Sequence, residues 1–245
     1  MAPNTARIID FWLGGAHHTH ADRESARAFE EACAEYPAIF QGLRRYIGRA
    51  CRFVADAGVD QFCVFGAGVP ACGNVHEVVP NARVLYTDID RENIALGREI
   101  LSSVHRTGYV YCDAADLSTL DPEEVRRTLG PIRRLGLVFV GVAAFIPDDK
   151  LRDVFEQLYA WAPPGSYMVL DFDTDSLMPH TTRVLEMMEA IGAPLILRTR
   201  EEITPLLGRW RVTEGGIQPV TLWPNLKPEA DQPTFMFGSV VYKPA

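Results

Sequence analysis

Glycines and carboxylates follow several strand-like segments of this chain, where they could bind a nucleotide-like ligand. A Gly-Ala-Gly turn at 66–68 comes after the apolar run 61–65, and the next such run ends at Asp88 and Asp90, about 20 residues further on. Glycines let a ligand approach the backbone, and a carboxylate at that spacing can accept hydrogen bonds from ribose hydroxyls. Asp113 follows the third run. A packing turn or a solvated turn would explain each feature alone, but three at one sheet edge favour a binding crevice.

Two further groups of residues could move a proton or orient an amine. His17, His18 and His20 form an H-H-x-H cluster, and imidazole, with a pKa of about 6.5, can serve as a base. No strand or helix fixes the geometry of this cluster, so we predict no metal site. Asp171 and Asp173 end the fifth strand-like run, where they could orient an ammonium group or act as a base. An exposed polar loop and a solvated acidic turn remain the simpler explanations of the two groups.

The elements that position these residues are predicted from hydrophobic periodicity. Apolar residues recur at helical spacing over 20–57, interrupted at Pro37, which predicts two amphipathic helices before the first strand. Further along, short apolar runs alternate with helical ones, and a helix is predicted over 71–79, directly after the glycine turn. The last two apolar runs, WRVT and FMFGSVVYK, would pair antiparallel. Such alternation is typical of a parallel sheet with helices on both faces. We predict a Rossmann-like, doubly wound α/β domain over 58–245 with an N-terminal helical extension, or lid, over 1–57, as one structural unit.

Composition and charge narrow the class of protein. The 245 residues include 24 basic and 32 acidic side chains, a formal charge of -8, which argues against a dedicated nucleic-acid binder because phosphate contacts need a basic face. No window is long and apolar enough to cross a membrane, and the first residues do not resemble a signal peptide, so we expect a cytoplasmic protein that acts on a small molecule. The five cysteines are widely spaced without a C-x-x-C motif, which indicates neither a disulfide framework nor a zinc site.

A series of motifs occurs in order over residues 5–224: ARIIDFWLGG with ADRE, FGAGVP with NVHEV, VLYTDID, CDAADL, FIPDD, APPGSYMVL and APLILRTREEI. With them the chain resembles the bacterial S-adenosyl methyltransferase family formerly catalogued as a domain of unknown function. The resemblance implies a class I methyltransferase sheet of seven strands in the order 3-2-1-4-5-7-6. Arg7 and Asp10 belong to the matching N-terminal segment and would close the pocket. The implied cofactor positions are Gly66, Gly68 and Pro70 at the methionyl part, Asp88 or Asp90 at ribose, and Asp113 with Ala114 near adenine.

The chain departs from this family pattern where chemistry is expected. The Asp that typically stands two residues before the first glycine is Val64 here, and the usual Lys-Asp-Asn after the N-terminal Leu-Gly-Gly is replaced by AHHTH at 16–20. The usual Leu-His after the fourth strand is Ala143-Ala144, and the usual Ser-His after the fifth is Asp171-Phe172. In methyltransferases the missing carboxylate helps to hold the cationic methionyl end of the cofactor.

Three functional hypotheses follow from the motifs and the departures. In the leading one, free amides at the N-terminus of the glycine-loop helix hold a sulfate or phosphate leaving group, while an amine of the same substrate closes a ring without a cofactor. The chain would then be a tailoring enzyme of bacterial specialised metabolism that acts on a small amine-bearing substrate, with Asp10, His17, His18, Asp171 and Asp173 as catalytic candidates. The alternative is N- or O-methylation of a small molecule with S-adenosylmethionine. The third is a degenerate subunit paired with a homologous partner; a homodimer is also considered.

Overall fold

The computed structural model describes residues 2–70, 72–174, 181–227 and 236–244, and in them helices alternate with strands. The α-helices are α1 Thr5–Trp12, α2 His20–Ala32, α3 Tyr36–Asp56, α4 Val75–Val78, α5 Arg91–Ile100, α6 Pro122–Leu129, α7 Asp148–Trp161, α8 Thr181–Ala190 and α9 Arg200–Leu206. The strands are β1 Gln61–Val64, β2 Arg83–Asp88, β3 Thr107–Tyr111, β4 Gly136–Phe139, β5 Tyr167–Asp173, β6 Arg211–Val212, β7 Gln218–Pro219 and β8 Met236–Tyr242. Within these residues, none of the helices is long and apolar enough to span a membrane.

The strands form one sheet in the order β3-β2-β1-β4-β5-β8-β6. β1 to β5 run parallel, and β8 lies antiparallel to β5 and to β6. This is the order that the resemblance implies, with β8 in the place of strand 7, so the predicted doubly wound α/β fold and the antiparallel terminal pair are confirmed. The described residues contain eight strands instead of the predicted seven, because residues 218–219 turn back beside β8 and form the short β7.

Three helices, not the predicted two, precede β1. The additional helix α1 begins at a good N-cap, since the Asn4 side chain accepts hydrogen bonds from the amides of Ala6 and Arg7. Its apolar positions Ile8 and Trp12 are buried against the body of the protein. A helix of eight residues has too few turns for its periodicity to stand out in the sequence, and tertiary packing supplies most of its stability.

The helix predicted at 71–79 is much shorter than expected. α4 contains only Val75–Val78, and the residues before it cannot be helical, because Cys72 and Gly73 both have positive φ angles. A capping box then starts the helix: the Asn74 side chain accepts from the amide of Glu77, whose carboxylate accepts the Asn74 amide at 2.8 Å. The glycine turn therefore leads into a loop and not into a helix.

Two apolar layers cover the two faces of the sheet. Alternate residues of β1 point to opposite faces, so that Phe62 belongs to the layer under α1 to α3 and Cys63 to the layer under α6, α7 and α9. The buried Tyr46 hydroxyl of α3 lies 2.9 Å from the Leu170 carbonyl and 2.8 Å from the Ser239 carbonyl, where it can donate to either. These contacts hold α3 across β5 and β8 and place the N-terminal helices beside the carboxyl ends of the parallel strands.

Candidate active site

A cavity of about 570 Å³ lies at the carboxyl ends of the parallel strands, between the sheet edge and α1 to α3. Its volume falls within the range of about 300–1,000 Å³ that is typical of small-molecule sites. Eight of the residues predicted from the sequence line it: Asp10, Gly66, Gly68, Asp88, Asp90, Asp113, Ala114 and Asp173. The other predicted site residues, Pro70, His17, His18 and Asp171, are not among its lining residues.

The glycine turn is clamped between β2 and α1. The Gly68 amide donates to Asp88 Oδ2 at 2.8 Å, and the Ala67 amide donates to the Thr87 carbonyl at 2.9 Å. Gly68 has a φ of 61°, and a Cβ on it would come within 2.9 Å of the Ala6 Cβ, so this position requires glycine. The leading hypothesis of free amides at a helix N-terminus is therefore wrong at Gly68, because Asp88 takes its amide and the helix that follows is a single turn.

Carboxylates at the ends of β2 and β3 have protein partners and also unused acceptor positions. Asp88 Oδ1 accepts the Asp90 amide at 2.9 Å, and Asp90 caps α5 and accepts a hydrogen bond from the Asn4 side chain at 2.7 Å. Asp113 accepts the Ala115 amide with Oδ1 at 2.8 Å, and its Oδ2 has no partner among the described residues. Each carboxylate oxygen has two lone pairs, so Asp88 and Asp90 can accept further hydrogen bonds.

The same strand ends provide apolar surface next to these carboxylates. Ile89 exposes 58% of its surface where it lines the cavity, and Ala114 and Val142 line the cavity as well. A flat, apolar base against these side chains, with its ribose and amino groups at the carboxylates, would satisfy both kinds of surface. The residues present therefore fit an adenosine group.

A cationic side chain that the sequence did not single out also lines the cavity. Arg44 is half-buried, and its Nη1 donates to Asn74 Oδ1 at 2.7 Å. Burial lowers the pKa of Arg44, and the nearby negative groups, among them Glu77 and Asp10, partly offset this. The sequence shows Arg44 and Arg45 as an ordinary pair on a helix; only the fold directs the first toward the cavity and leaves the second exposed.

The buried Asp10 carboxylate organises the loop after α1. Its Oδ2 accepts the His17 amide at 2.8 Å and lies 3.3 Å from His18 Nδ1, while a Cβ on Gly15 would come within 2.1 Å of Oδ1. Asp10 thus holds the His17 backbone and the His18 ring, and neither histidine is among the residues that line the cavity; a role of either as the base stays a prediction. His20 is exposed and pairs with the next turn of α2. In the described part of the chain, no group of three His, Cys, Asp or Glu side chains is arranged to hold a metal ion.

Arg7 does not line the cavity, contrary to the expectation that it closes the pocket. Its Nε donates to Asp22 Oδ2 at 2.8 Å, and both side chains are buried. The pKa of Asp22 is lowered to about 2; burial opposes this shift, and hydrogen bonds from Arg7, Thr19 and Asn4 outweigh the burial. This pair ties α1 to α2 and is a structural interaction.

Asp171 and Asp173 are buried at the end of β5, and only Asp173 reaches the cavity. Burial and the neighbouring Asp173 raise the pKa of Asp171 to about 8, while burial, opposed by Arg198, raises the pKa of Asp173 to about 6. Asp171 Oδ1 accepts the Gly141 amide at 2.7 Å, and its buried Oδ2 has no partner among the described residues. The two carboxyl groups titrate as a coupled pair, so near pH 7 they share one proton, and Asp173 is the member of the pair that lines the cavity.

Aromatic side chains of α1 to α3 form the wall beside Asp173. Trp12 stacks on Phe40 with ring centroids 5.2 Å apart and lies 5.3 Å from the Tyr36 ring. Burial, with a contribution from Asp173, raises the pKa of Tyr36, so this hydroxyl stays neutral and lies near the carboxylate. The sequence showed these residues only as an amphipathic face, since nothing in their spacing separates a cavity wall from a core.

The sheet order and the cavity at its carboxyl edge define a class I methyltransferase fold. The chain belongs to the S-adenosyl methyltransferase family, whose sequence model matches residues 1–244. It is similar to the crystal structure of a DUF574 family protein from Streptomyces avermitilis MA-4680, with 29% identity and a TM-score of 0.88 over 99% of this chain and 98% of that one. A protein from Thermobifida fusca YX assigned as a methyltransferase is 27% identical, with a TM-score of 0.88 over 100% of this chain and 96% of that one.

More distant structures share the fold alone. Magnesium protoporphyrin IX methyltransferase from Synechocystis PCC 6803, solved with bound S-adenosylhomocysteine, is 12% identical, with a TM-score of 0.57 over 96% of this chain and 92% of that one. No curated protein matches the chain. The family match favours the alternative that uses S-adenosylmethionine over the leading hypothesis of a cofactor-free ring closure.

Proposed function

We propose that this protein transfers a methyl group from S-adenosylmethionine to the nitrogen of a small, mainly apolar amine. The observation that carries the proposal is the buried Asp173 carboxyl group in the wall of a cavity whose other end fits adenosine. When bound, the cofactor supplies an electrophilic methyl group on its sulfonium sulfur. The side chains of this chain bind and orient the two reactants and take up the proton of the amine.

The adenosine end of the cofactor would be held by the residues at the ends of β2 and β3. Asp88 and Asp90 would accept hydrogen bonds from the ribose hydroxyls, and Asp113 Oδ2 would accept one from the exocyclic amine of adenine. Ile89 and Ala114 would contact the faces of the base. The contacts of the glycine turn with Asp88 and α1 fix the backbone that would lie next to the ribose and the methionyl part.

Asp173 has the properties of a general base for an ammonium substrate. An amine must lose its proton before its lone pair can attack the methyl group, and a base with a pKa near the working pH is the most effective. The pKa of Asp173, about 6, meets this condition. The aromatic wall formed by Trp12, Phe29, Tyr36 and Phe40 excludes water and suits an apolar or aromatic body attached to the amine. Its rings would also attract the ammonium group, because cations and aromatic rings attract each other.

The test combines ligand binding with a methyl-transfer assay. Calorimetry should show micromolar binding of S-adenosylhomocysteine, and incubation of S-adenosylmethionine with a panel of apolar and aromatic amines should give products in which a methyl group replaces one N–H proton. Asp173→Asn should lower the rate by about 100-fold or more and remove the rise in kcat/KM near pH 6. Asp149→Asn, at an exposed carboxylate of α7, is the matched control and should leave both unchanged. Absence of cofactor binding, or a product that forms equally well without the donor, would refute the proposal.

A further inference from the structure

The methionyl end of S-adenosylmethionine carries an ammonium and a carboxylate, and this chain lacks the usual carboxylate of β1 for the first of them. Val64 stands at that position, buried and in the wall of the cavity. A zwitterion that enters a partly buried site needs a partner for each charge, because unpaired charges are strongly disfavoured there. The two partners must therefore come from other elements around the glycine turn.

Arg44 has the free donors that a carboxylate requires. Among its guanidinium nitrogens only Nη1 has a hydrogen-bond partner in the described part of the chain, namely Asn74 Oδ1 at 2.7 Å. That bond orients the guanidinium beside the loop that follows the glycine turn. Gly73 of this loop packs on the aliphatic part of Arg44, since a Cβ added to Gly73 would lie 3.3 Å from the Arg44 Cγ. Nε and Nη2 stay available in a side chain that lines the cavity.

Asp10 has the free acceptor that an ammonium group requires. Both of its hydrogen-bond partners, the His17 amide and His18 Nδ1, contact Oδ2, and Oδ1 has no hydrogen-bond partner among the described residues. Asp10 lies on α1, whose Ala6 packs directly on Gly68. It lines the same cavity and is close enough to Arg44 for the two charges to attract.

We propose that Arg44 and Asp10 form an amino-acid anchor for the methionyl end of S-adenosylmethionine, with Arg44 on the carboxylate and Asp10 on the ammonium. The anchor takes the place of the missing carboxylate at position 64. It rests on the proposed function, since it presupposes that the cavity binds this cofactor. Arg44 and Asp10 hold the ligand and take no part in the transfer of the methyl group or of the proton.

Calorimetry with three ligands separates this anchor from a general structural role. S-adenosylhomocysteine carries both charges, its decarboxylated analogue keeps the ammonium, and 5′-methylthioadenosine has neither. Arg44→Met should weaken binding of S-adenosylhomocysteine by about 10- to 100-fold, the usual effect of removing a charge-assisted hydrogen bond, and should change binding of the other two ligands by less than about twofold. Arg45→Met, at the exposed neighbour on the same helix, should leave all three affinities unchanged.

Asp10→Asn should weaken binding of S-adenosylhomocysteine and of its decarboxylated analogue, and should leave that of 5′-methylthioadenosine unchanged. If this variant does not fold, because Asp10 also orders the loop after α1, Arg44→Met decides the matter alone. The anchor is refuted if Arg44→Met leaves the affinity for S-adenosylhomocysteine unchanged or weakens all three ligands equally. If the wild-type protein binds none of the ligands, the proposed function fails as well, which distinguishes the two failures.

Discussion

Replacing the buried Asp171 with asparagine should change the pH dependence of stability. In the folded protein burial and Asp173 raise the pKa of Asp171 to about 8, whereas in the unfolded chain it returns to about 4. Between these values the folded state holds a proton that the unfolded state has lost. A carboxyl group with a raised pKa contributes its full stability below the unfolded value and loses it as the pH rises through the folded value. The wild-type protein should therefore become less stable from about pH 5 to pH 8.

The slope follows from the number of protons involved. One proton corresponds to about 1.4 kcal/mol of unfolding free energy per pH unit, so three units give an upper limit of about 4 kcal/mol. An asparagine in place of Asp171 would keep the shape of the side chain and could still accept the Gly141 amide, but it has no charge to bury. Asp171→Asn should therefore flatten the dependence of the unfolding free energy on pH. The variant should be about as stable as the wild type at pH 5 and more stable by about 1–4 kcal/mol at pH 8.

Urea unfolding followed by tryptophan fluorescence, at constant ionic strength and at several pH values from about 5 to about 8.5, measures these free energies directly across the range in which the proton is lost. Asp153→Asn, at an exposed carboxylate of α7, is the control and should give a curve parallel to that of the wild type. Parallel curves for Asp171→Asn and the wild type would show that Asp171 is ionised in the folded protein, which would contradict the raised pKa of this carboxyl group.

Three further substitutions test the contacts that surround the site. Asp22→Asn removes the buried negative charge that pairs with Arg7 and should cost about 3 kcal/mol at pH 7 in urea unfolding; the difference should shrink between about pH 4 and pH 2, where the wild-type Asp22 becomes protonated. Tyr46→Phe should lower the unfolding free energy by about 1 kcal/mol and leave the affinity for S-adenosylhomocysteine unchanged; a calorimetric change in affinity would contradict this. Gly68→Ala adds a Cβ at positive φ against Ala6 and should lower both stability, by about 1–3 kcal/mol, and ligand affinity; an unaltered melting temperature would disprove the clamp.

The sheet was predictable from the sequence because its strands carry strong, short-range signals. Apolar runs separated by helical periodicity predict that β1 to β5 run parallel, and the resemblance supplies their order and the placement of β8 next to β5. The elements that were missed are the short ones. α1 has eight residues and depends on the Asn4 cap, and the predicted helix after the glycine turn is interrupted by the positive φ of Cys72, which no propensity argument reveals.

The candidate site was predictable where it lies on strand ends and less so elsewhere. Asp88, Asp113 and Asp173 follow strands, so their common edge could be deduced from the alternation of elements. Arg44 lies on a helix far from the glycine turn in sequence, and its role depends on the rotation of α3 above the sheet. His17 and His18 have the chemistry of bases, but which way they face depends on the buried carboxylate of Asp10, a contact that the sequence does not specify.

The proposed ammonium partner, Asp10, lies on α1 and not on β1, and this placement couples ligand binding to the attachment of α1. An acid in β1 would belong to the sheet, whereas Asp10 belongs to a helix that side-chain contacts of Asn4 and Arg7 hold in place. A ligand that contacts α1 only when this helix is docked on the sheet stabilises the docked helix. By reciprocity, docking of α1 adds the same free energy to the affinity for the ligand. Substitutions that loosen α1, such as Asp22→Asn, should therefore weaken binding of S-adenosylhomocysteine although Asp22 itself does not line the cavity, and the ligand should in turn restore part of the lost stability.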